Sequence, residues 1–142
     1  MHPFTGQRGV AFEAIVRGAN LKDTLSAYPE QPGLKITVES AAADPKAKAK
    51  NSPDAVKLRV ETPQTLAPGR YTFRLITPAG VSNSLPLQIL ESPVTPEPPG
   101  SHETPETAIP VPNTPILFTG QISQRGESDF YAFNAKAGET LT

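Results

Sequence analysis

Alternation with period two runs through the first ninety residues, and helical spacing is nearly absent. Val10, Phe12, Ala14 and Val16 share one face of an extended segment, with Ala11, Glu13, Ile15 and Arg17 on the other, until Gly18-Ala19-Asn20 breaks the run. A short second strand is predicted over Leu25 to Tyr28, closed by Pro29. Leu34, Ile36 and Val38 then alternate with Lys35, Thr37 and Glu39, which describes a half-buried strand with its charge outside. Residues 41–55 read as a solvated hairpin loop carrying Lys46, Lys48 and Lys50, because Pro45 and Pro53 leave too little room for a helix. Val56, Leu58 and Val60 inward, against Lys57, Arg59 and Glu61 outward, make the clearest strand, which Pro63 ends.

The turns are equally legible. Pro68-Gly69 is predicted as a turn in which proline sets φ at the first central position and Gly69 takes a positive φ at the second. Tyr71, Phe73 and Leu75 line one face of the next strand, and Pro78-Ala79-Gly80 closes its hairpin. Leu85, Leu87 and Ile89 form the last strand, where Pro86 has no N–H to donate and so demands a sheet edge or a gap in the ladder. About seven strands, with turn signals roughly every 8–12 residues, predict an all-β fold: an immunoglobulin-like antiparallel β-sandwich over residues 1–91. The chain has no cysteine and no tryptophan, so its core must rest on aliphatic packing.

Composition changes abruptly after residue 91. Eight of the 17 prolines lie between Pro93 and Pro115, and residues 91–115 carry four glutamates and no base. Residues 92–115 therefore read as a semi-stiff Pro/Glu-rich linker. From Ile116 the pattern returns, with Phe118, Ile122, Phe130, Tyr131, Phe133 and Leu141 punctuated by Gly120, Gly126 and Gly138. Strands are predicted at 116–122, 129–135 and 139–142. Three short strands do not enclose a core, so residues 116–142 read as part of a second β domain.

Charge and chemistry-bearing residues exclude several classes of function. Residues 1–90 carry a net charge of +4, too little to hold a phosphate backbone by counterion release, so no nucleic-acid partner is expected. The absence of cysteine removes thiol nucleophiles and thiolate metal sites. No apolar run approaches the ~20 residues of a membrane span, and MHPFTGQRG has neither the charged nor the apolar region of a signal peptide. His2 and His102 read as exposed, His102 beside Glu103 in the proline-rich stretch, and neither is a positioned base. Glu127, Ser128 and Asp129 supply too few oxygens for calcium. No catalytic residue, metal ligand or cofactor is expected.

The residues singled out are structural. Tyr71, following Leu66-Ala67-Pro68-Gly69-Arg70, has the spacing of a tyrosine corner, in which the hydroxyl bonds upstream backbone. Asn20 and Asn83 sit in turns where a short amide caps backbone groups or accepts positive φ, and Gly80 closes a hairpin. Of the three tyrosines, Tyr28 is the one expected to be exposed.

Two stretches resemble known families. Gly18-Ala19-Asn20-Leu21, PGRYTFRLITPAGVSN and Leu85-Pro86-Leu87 together resemble the TIG/IPT class of immunoglobulin-like domains across most of residues 6–90. Gly120-Gln121-Ile122, Gly126 through Phe133 and Ala137-Gly138-Glu139 resemble the opening of the bacterial pre-peptidase C-terminal domain, a β-sandwich appended to secreted enzymes and surface proteins. The pairing implies a non-catalytic interaction or spacer module of a larger secreted or cell-surface bacterial protein. Its partners would be a protein or cell-surface ligand and other domains of the same polypeptide, with any signal peptide outside this segment. The alternatives are an accessory region of a secreted peptidase or other hydrolase, and a carbohydrate-binding module.

Overall fold

A computed structural model describes residues 3–43, 54–112, 114–120, 122 and 124–139. The chain is an all-β protein that divides into two units, Met1–Ser92 and Pro93–Thr142.

The first unit is a two-layer sandwich built from β1 (Thr5–Gln7), β2 (Phe12–Gly18), β3 (Ser26–Pro29), β4 (Lys35–Ala43), β5 (Asp54–Glu61), β6 (Gly69–Thr77), β7 (Gly80–Val81) and β8 (Leu85–Leu90). One sheet runs β2-β5-β4 and is antiparallel throughout. The other runs β1-β8-β6-β3, with β7 also paired to β6. Chain neighbours β5 and β6 thus lie in different layers, as immunoglobulin topology requires. The first strand does not join β2. It pairs parallel to the last strand, Thr5 opposite Gln88 and Gln7 opposite Leu90.

The alternating positions fill the space between the layers. Ala14, Val16, Val56, Leu58 and Val60 from one sheet meet Phe73, Leu75, Leu87 and Ile89 from the other, all buried. Outside, charge is laddered: the Lys57 ammonium lies 2.7 Å from Glu13 and 3.3 Å from Glu39, and Lys35 lies 3.1 Å from Glu61. These cross-strand pairs sit where the registers of β2, β4 and β5 place them.

Several expectations need correction. Strand β1, Thr-Gly-Gln, carries no alternating pattern, so periodicity does not predict it. It is held instead by fit, since Gly6 lies directly under the Phe12 ring, and by the Gln88 N–H donating to the Phe4 carbonyl at 2.8 Å. Val10 is half exposed rather than in the core, because Gly9, at φ 77, turns the chain between β1 and β2 there. Residues 41–43, expected in a loop, continue β4, with Ala43 opposite Asp54, after the register shift between Val38 and Ser40. The lysine-bearing stretch 46–50 lies outside the described residues.

The turn before β6 also differs. It closes at Pro63–Leu66, where the Leu66 N–H donates to the Pro63 carbonyl at 2.9 Å, and not at Pro68-Gly69. Gly69 does take the expected positive φ, 157, but as the first strand residue, paired with Ile89. Strand β8 is not an edge, since β1 and β6 flank it. The N–H of Gln88 points toward β1, so the missing N–H of Pro86 falls on that same side. Pairing with β1 begins at Gln88, which leaves the proline opposite a gap.

The second unit contains β9 (Val94–Pro96), a 3₁₀ turn (Pro105–Thr107), β10 (Ile109–Val111), β11 (Leu117–Thr119) and β12 (Tyr131–Phe133). β9 pairs parallel with β11, and β10 parallel with β12. Part of the stretch predicted as a tether is therefore strand. The prolines allow it because a parallel ladder uses alternate N–H groups. Glu97 donates to the Thr119 carbonyl at 3.0 Å and Ile109 to the Phe130 carbonyl at 2.8 Å, so Pro96 and Pro110 fall where no donor is needed. The strands expected over 116–122 and 129–135 shorten to 117–119 and 131–133. Residues 140–142 of the third lie outside the described residues.

Two turns of this unit share one device. In Gln124-Arg125-Gly126-Glu127 and Lys136-Ala137-Gly138-Glu139 the glycine takes φ 85 at the third position, as a type II turn demands. In each, the glutamate N–H donates to the first residue's carbonyl, at 3.4 and 3.0 Å. Its carboxylate in return accepts the first residue's N–H at 2.9 Å.

Candidate functional site

The end of the sandwich where β2 and β6 finish gathers most of the turn chemistry. Past Gly18 the chain reverses through Asn20, whose φ of 59 is left-handed, a conformation asparagine tolerates better than most residues. The following Leu21 and Lys22 N–H groups both donate to Asp54 Oδ2, at 2.9 and 3.2 Å. Asp54 opens β5 opposite Gly18, so sheet register delivers the carboxylate to the turn that needs it. The sequence reading missed this anchor. The signal was there, an acid at the first position of a strand whose partner strand ends in Gly-x-Asn.

Across from this turn, β6 and β7 form a tight hairpin at Pro78-Ala79. The Thr77 hydroxyl accepts the Ala79 N–H and donates to the Gly80 carbonyl, both at 3.1 Å. Gly80, at φ 126, occupies backbone that an L side chain resists. Ser82 then substitutes for a strand residue: its N–H donates to the Leu75 carbonyl, and its hydroxyl accepts the Leu75 N–H, each at 2.9 Å. The same hydroxyl donates to the Asn83 carbonyl at 2.7 Å, and Asn83 Nδ2 donates to the Ser84 carbonyl at 3.2 Å.

Between the two turns lies a cleft of about 240 Å³. Val16, Leu75 and Leu85 give it an apolar floor, and Arg17, Asn20 and Asn83 a polar rim. Of the residues singled out in sequence, Asn20, Gly80 and Asn83 thus converge here. Tyr71, Pro68 and Gly69 do not. They mark the opposite end of β6, where the Tyr71 hydroxyl donates to the Ala67 carbonyl at 2.6 Å.

A polar network crosses the outer face of the β1-β8-β6-β3 sheet. Glu30 accepts from Ser84 Oγ at 2.6 Å and Arg74 Nε at 2.7 Å. Hydrogen bonds from Ser84, then Thr72, then Arg74 lower its pKa to about 2. The Gln31 amide continues β3 beyond Pro29, accepting the Thr72 N–H at 2.7 Å and donating to the Thr72 hydroxyl at 3.0 Å. On the opposite sheet, Glu13 first and Glu39 second hold the Lys57 ammonium above the ordinary lysine range.

Among the described residues no three His, Asp or Glu side chains converge on a point that could hold a metal ion. The Glu127 carboxylate, weighed above as a calcium ligand, accepts the Gln124 N–H. His102, expected to be exposed in a tether, is half-buried, and both of its ring nitrogens face backbone carbonyls. Tyr28 is exposed as expected, but so is Tyr131. No helix among the described residues is long and apolar enough to cross a membrane, which says nothing of a β-barrel.

No known protein family matches the sequence, and no curated protein matches it. Among solved structures the chain is similar to one titled "Solution Structure of Amebosin", at 18% identity over 60% of this chain and 83% of that one, with a TM-score of 0.36. A likeness at that level carries no argument.

Proposed function

We propose that the chain is a non-catalytic interaction and spacer module of a larger secreted or cell-surface bacterial protein. In this reading the first unit is a TIG/IPT-like domain and the second the opening of a pre-peptidase C-terminal-like domain. One observation carries the proposal. The cleft beside Asn20 and Asn83 is bounded by turns whose Thr77, Ser82 and Asn83 side chains bond backbone groups, on a two-sheet frame, with no His, Asp, Glu or Lys among its lining residues to activate the Thr77 and Ser82 hydroxyls. A frame presenting loops of this kind suits recognition of a polar surface. The accessory-region and carbohydrate-binding readings remain the alternatives that the experiment separates.

The experiment uses the full chain, fluorescently labelled, added to intact bacterial cells, beside assays on peptide, ester and glycoside substrates and a glycan array. The proposal expects saturable binding that falls at least severalfold in Asn20→Ala/Asn83→Ala, with circular dichroism unchanged and no turnover. Turnover of any substrate by the purified chain overturns it. So does saturable binding that the double variant leaves intact. Binding confined to particular glycans transfers the assignment to the carbohydrate-binding alternative.

A further inference from the structure

The stretch that links Pro98 to Ile109 is organised by one side chain. His102 Nδ1 lies 2.9 Å from the Thr107 carbonyl oxygen, and Nε2 lies 3.1 Å from the Pro98 carbonyl oxygen. A carbonyl oxygen can accept a hydrogen bond but cannot donate one, and a neutral imidazole carries a single N–H. Both contacts are hydrogen bonds only when both ring nitrogens are protonated. In either neutral tautomer one nitrogen lone pair faces a carbonyl lone pair.

The charged groups around the ring favour the cation. Glu97, preceding the loop, and Asp129, preceding β12, both act on it as anions. On its own loop, Glu103 accepts from Gln124 Nε2 at 3.1 Å and Glu106 lies in the middle of the 3₁₀ turn, while residues 91–115 hold no Lys or Arg to oppose them. The Thr107 and Pro98 carbonyls raise the pKa of the ring, against a smaller burial effect.

The ring is also joined to the strand pair. The His102 carbonyl accepts the Phe130 N–H at 2.8 Å, and the Phe130 carbonyl accepts the Ile109 N–H at 2.8 Å. Those two bonds lead directly into the pairing of Ile109 with Tyr131, the start of β10 and β12. Ile109, at 2% exposure, is the buried apolar side chain of this unit among the described residues.

We propose that His102 is a pH-operated latch of the second unit: as imidazolium it ties Pro98 to Thr107 and holds β10 against β12, and as neutral imidazole it gives up one tie and loosens that pair. A group whose folded pKa lies above its unfolded value stabilises the fold fully below the unfolded value. It loses that contribution as pH rises through the folded pKa. The latch is therefore closed in mildly acidic surroundings and opens toward neutral or alkaline pH.

The test is NMR on the intact 142-residue chain, with the His102 ring signals assigned by their loss in His102→Gln. The ring is expected to titrate above the ordinary 6.5. Amide exchange at Ile109 and Phe130, normalised for the intrinsic rate, is expected to accelerate severalfold as the ring deprotonates. In His102→Gln the normalised exchange should not change with pH. A His102 titration at or below 6.5 overturns the proposal. So does unchanged protection of both amides across the titration in the wild-type chain, a readout that does not depend on the variant folding.

Discussion

Replacing Tyr71 by phenylalanine isolates one hydrogen bond. The ring is half-buried against the core cluster and stays in place, while the hydroxyl, 2.6 Å from the Ala67 carbonyl, is lost. A net intramolecular hydrogen bond contributes about 0.5–1.5 kcal/mol, with larger costs where a buried partner is orphaned. Here the contact is at the surface, so water can reach the abandoned carbonyl. The expected loss therefore sits at the lower end, about 0.5–1 kcal/mol. For a domain of this size that corresponds to roughly 2–8 °C in Tm. The assay is urea and thermal unfolding of the full chain followed by far-ultraviolet circular dichroism. Tyr28→Phe, at an exposed tyrosine, serves as the control and should leave stability unchanged. An unchanged m-value would locate the effect in the folded state. If Tyr71→Phe melts with the wild type, the corner does not fasten the start of β6 and the reasoning fails.

Three further substitutions probe separate parts of the frame. Gly6→Ala places a methyl on the Phe12 ring at a backbone angle alanine accepts, so the cost is steric. About 1–3 kcal/mol is expected in urea unfolding, and wild-type stability would show that β1 is not seated there. Thr62→Val keeps the shape of a buried residue but removes the hydroxyl shared by the Gln7 and Val10 carbonyls, at 2.8 and 3.0 Å. It should cost about 1–2 kcal/mol, and a neutral result would contradict the role given to that corner. For Glu30, whose folded pKa is depressed to about 2, the contribution is present above its unfolded value near 4.5 and disappears as pH falls through the folded value. The stability gap between wild type and Glu30→Gln should therefore close across that window, and a gap that persists at the acid end would refute the network.

What the sequence disclosed followed from periodicity. Val56, Leu58 and Val60 could face only one way once Lys57, Arg59 and Glu61 were placed outside, and the opposing Phe73, Leu75, Leu87 and Ile89 were as plain. What stayed hidden was pairing that leaves no alternating signature. Strand β1 is Thr-Gly-Gln, recognisable only when the Phe12 ring and the free side of β8 are both in view. The short strands β9 and β10 were obscured by prolines, because composition does not reveal that Pro96 and Pro110 fall on the silent positions of parallel ladders. The cleft was half legible. Asn20, Gly80 and Asn83 were recognisable as turn residues, but their convergence depends on β2 and β6 ending at one side of the sandwich. Asp54 became part of that end through register with Gly18.

The layer assignment is tested most directly by backbone nuclear Overhauser effects in the labelled chain. The fold places Ala14 opposite Leu58, Tyr71 opposite Leu87 and Thr5 opposite Gln88, so cross-strand contacts at all three pairs are expected. Ladder contacts joining Val56–Val60 to Phe73–Thr77 would instead put β5 and β6 in one sheet, and the sandwich described here would be wrong.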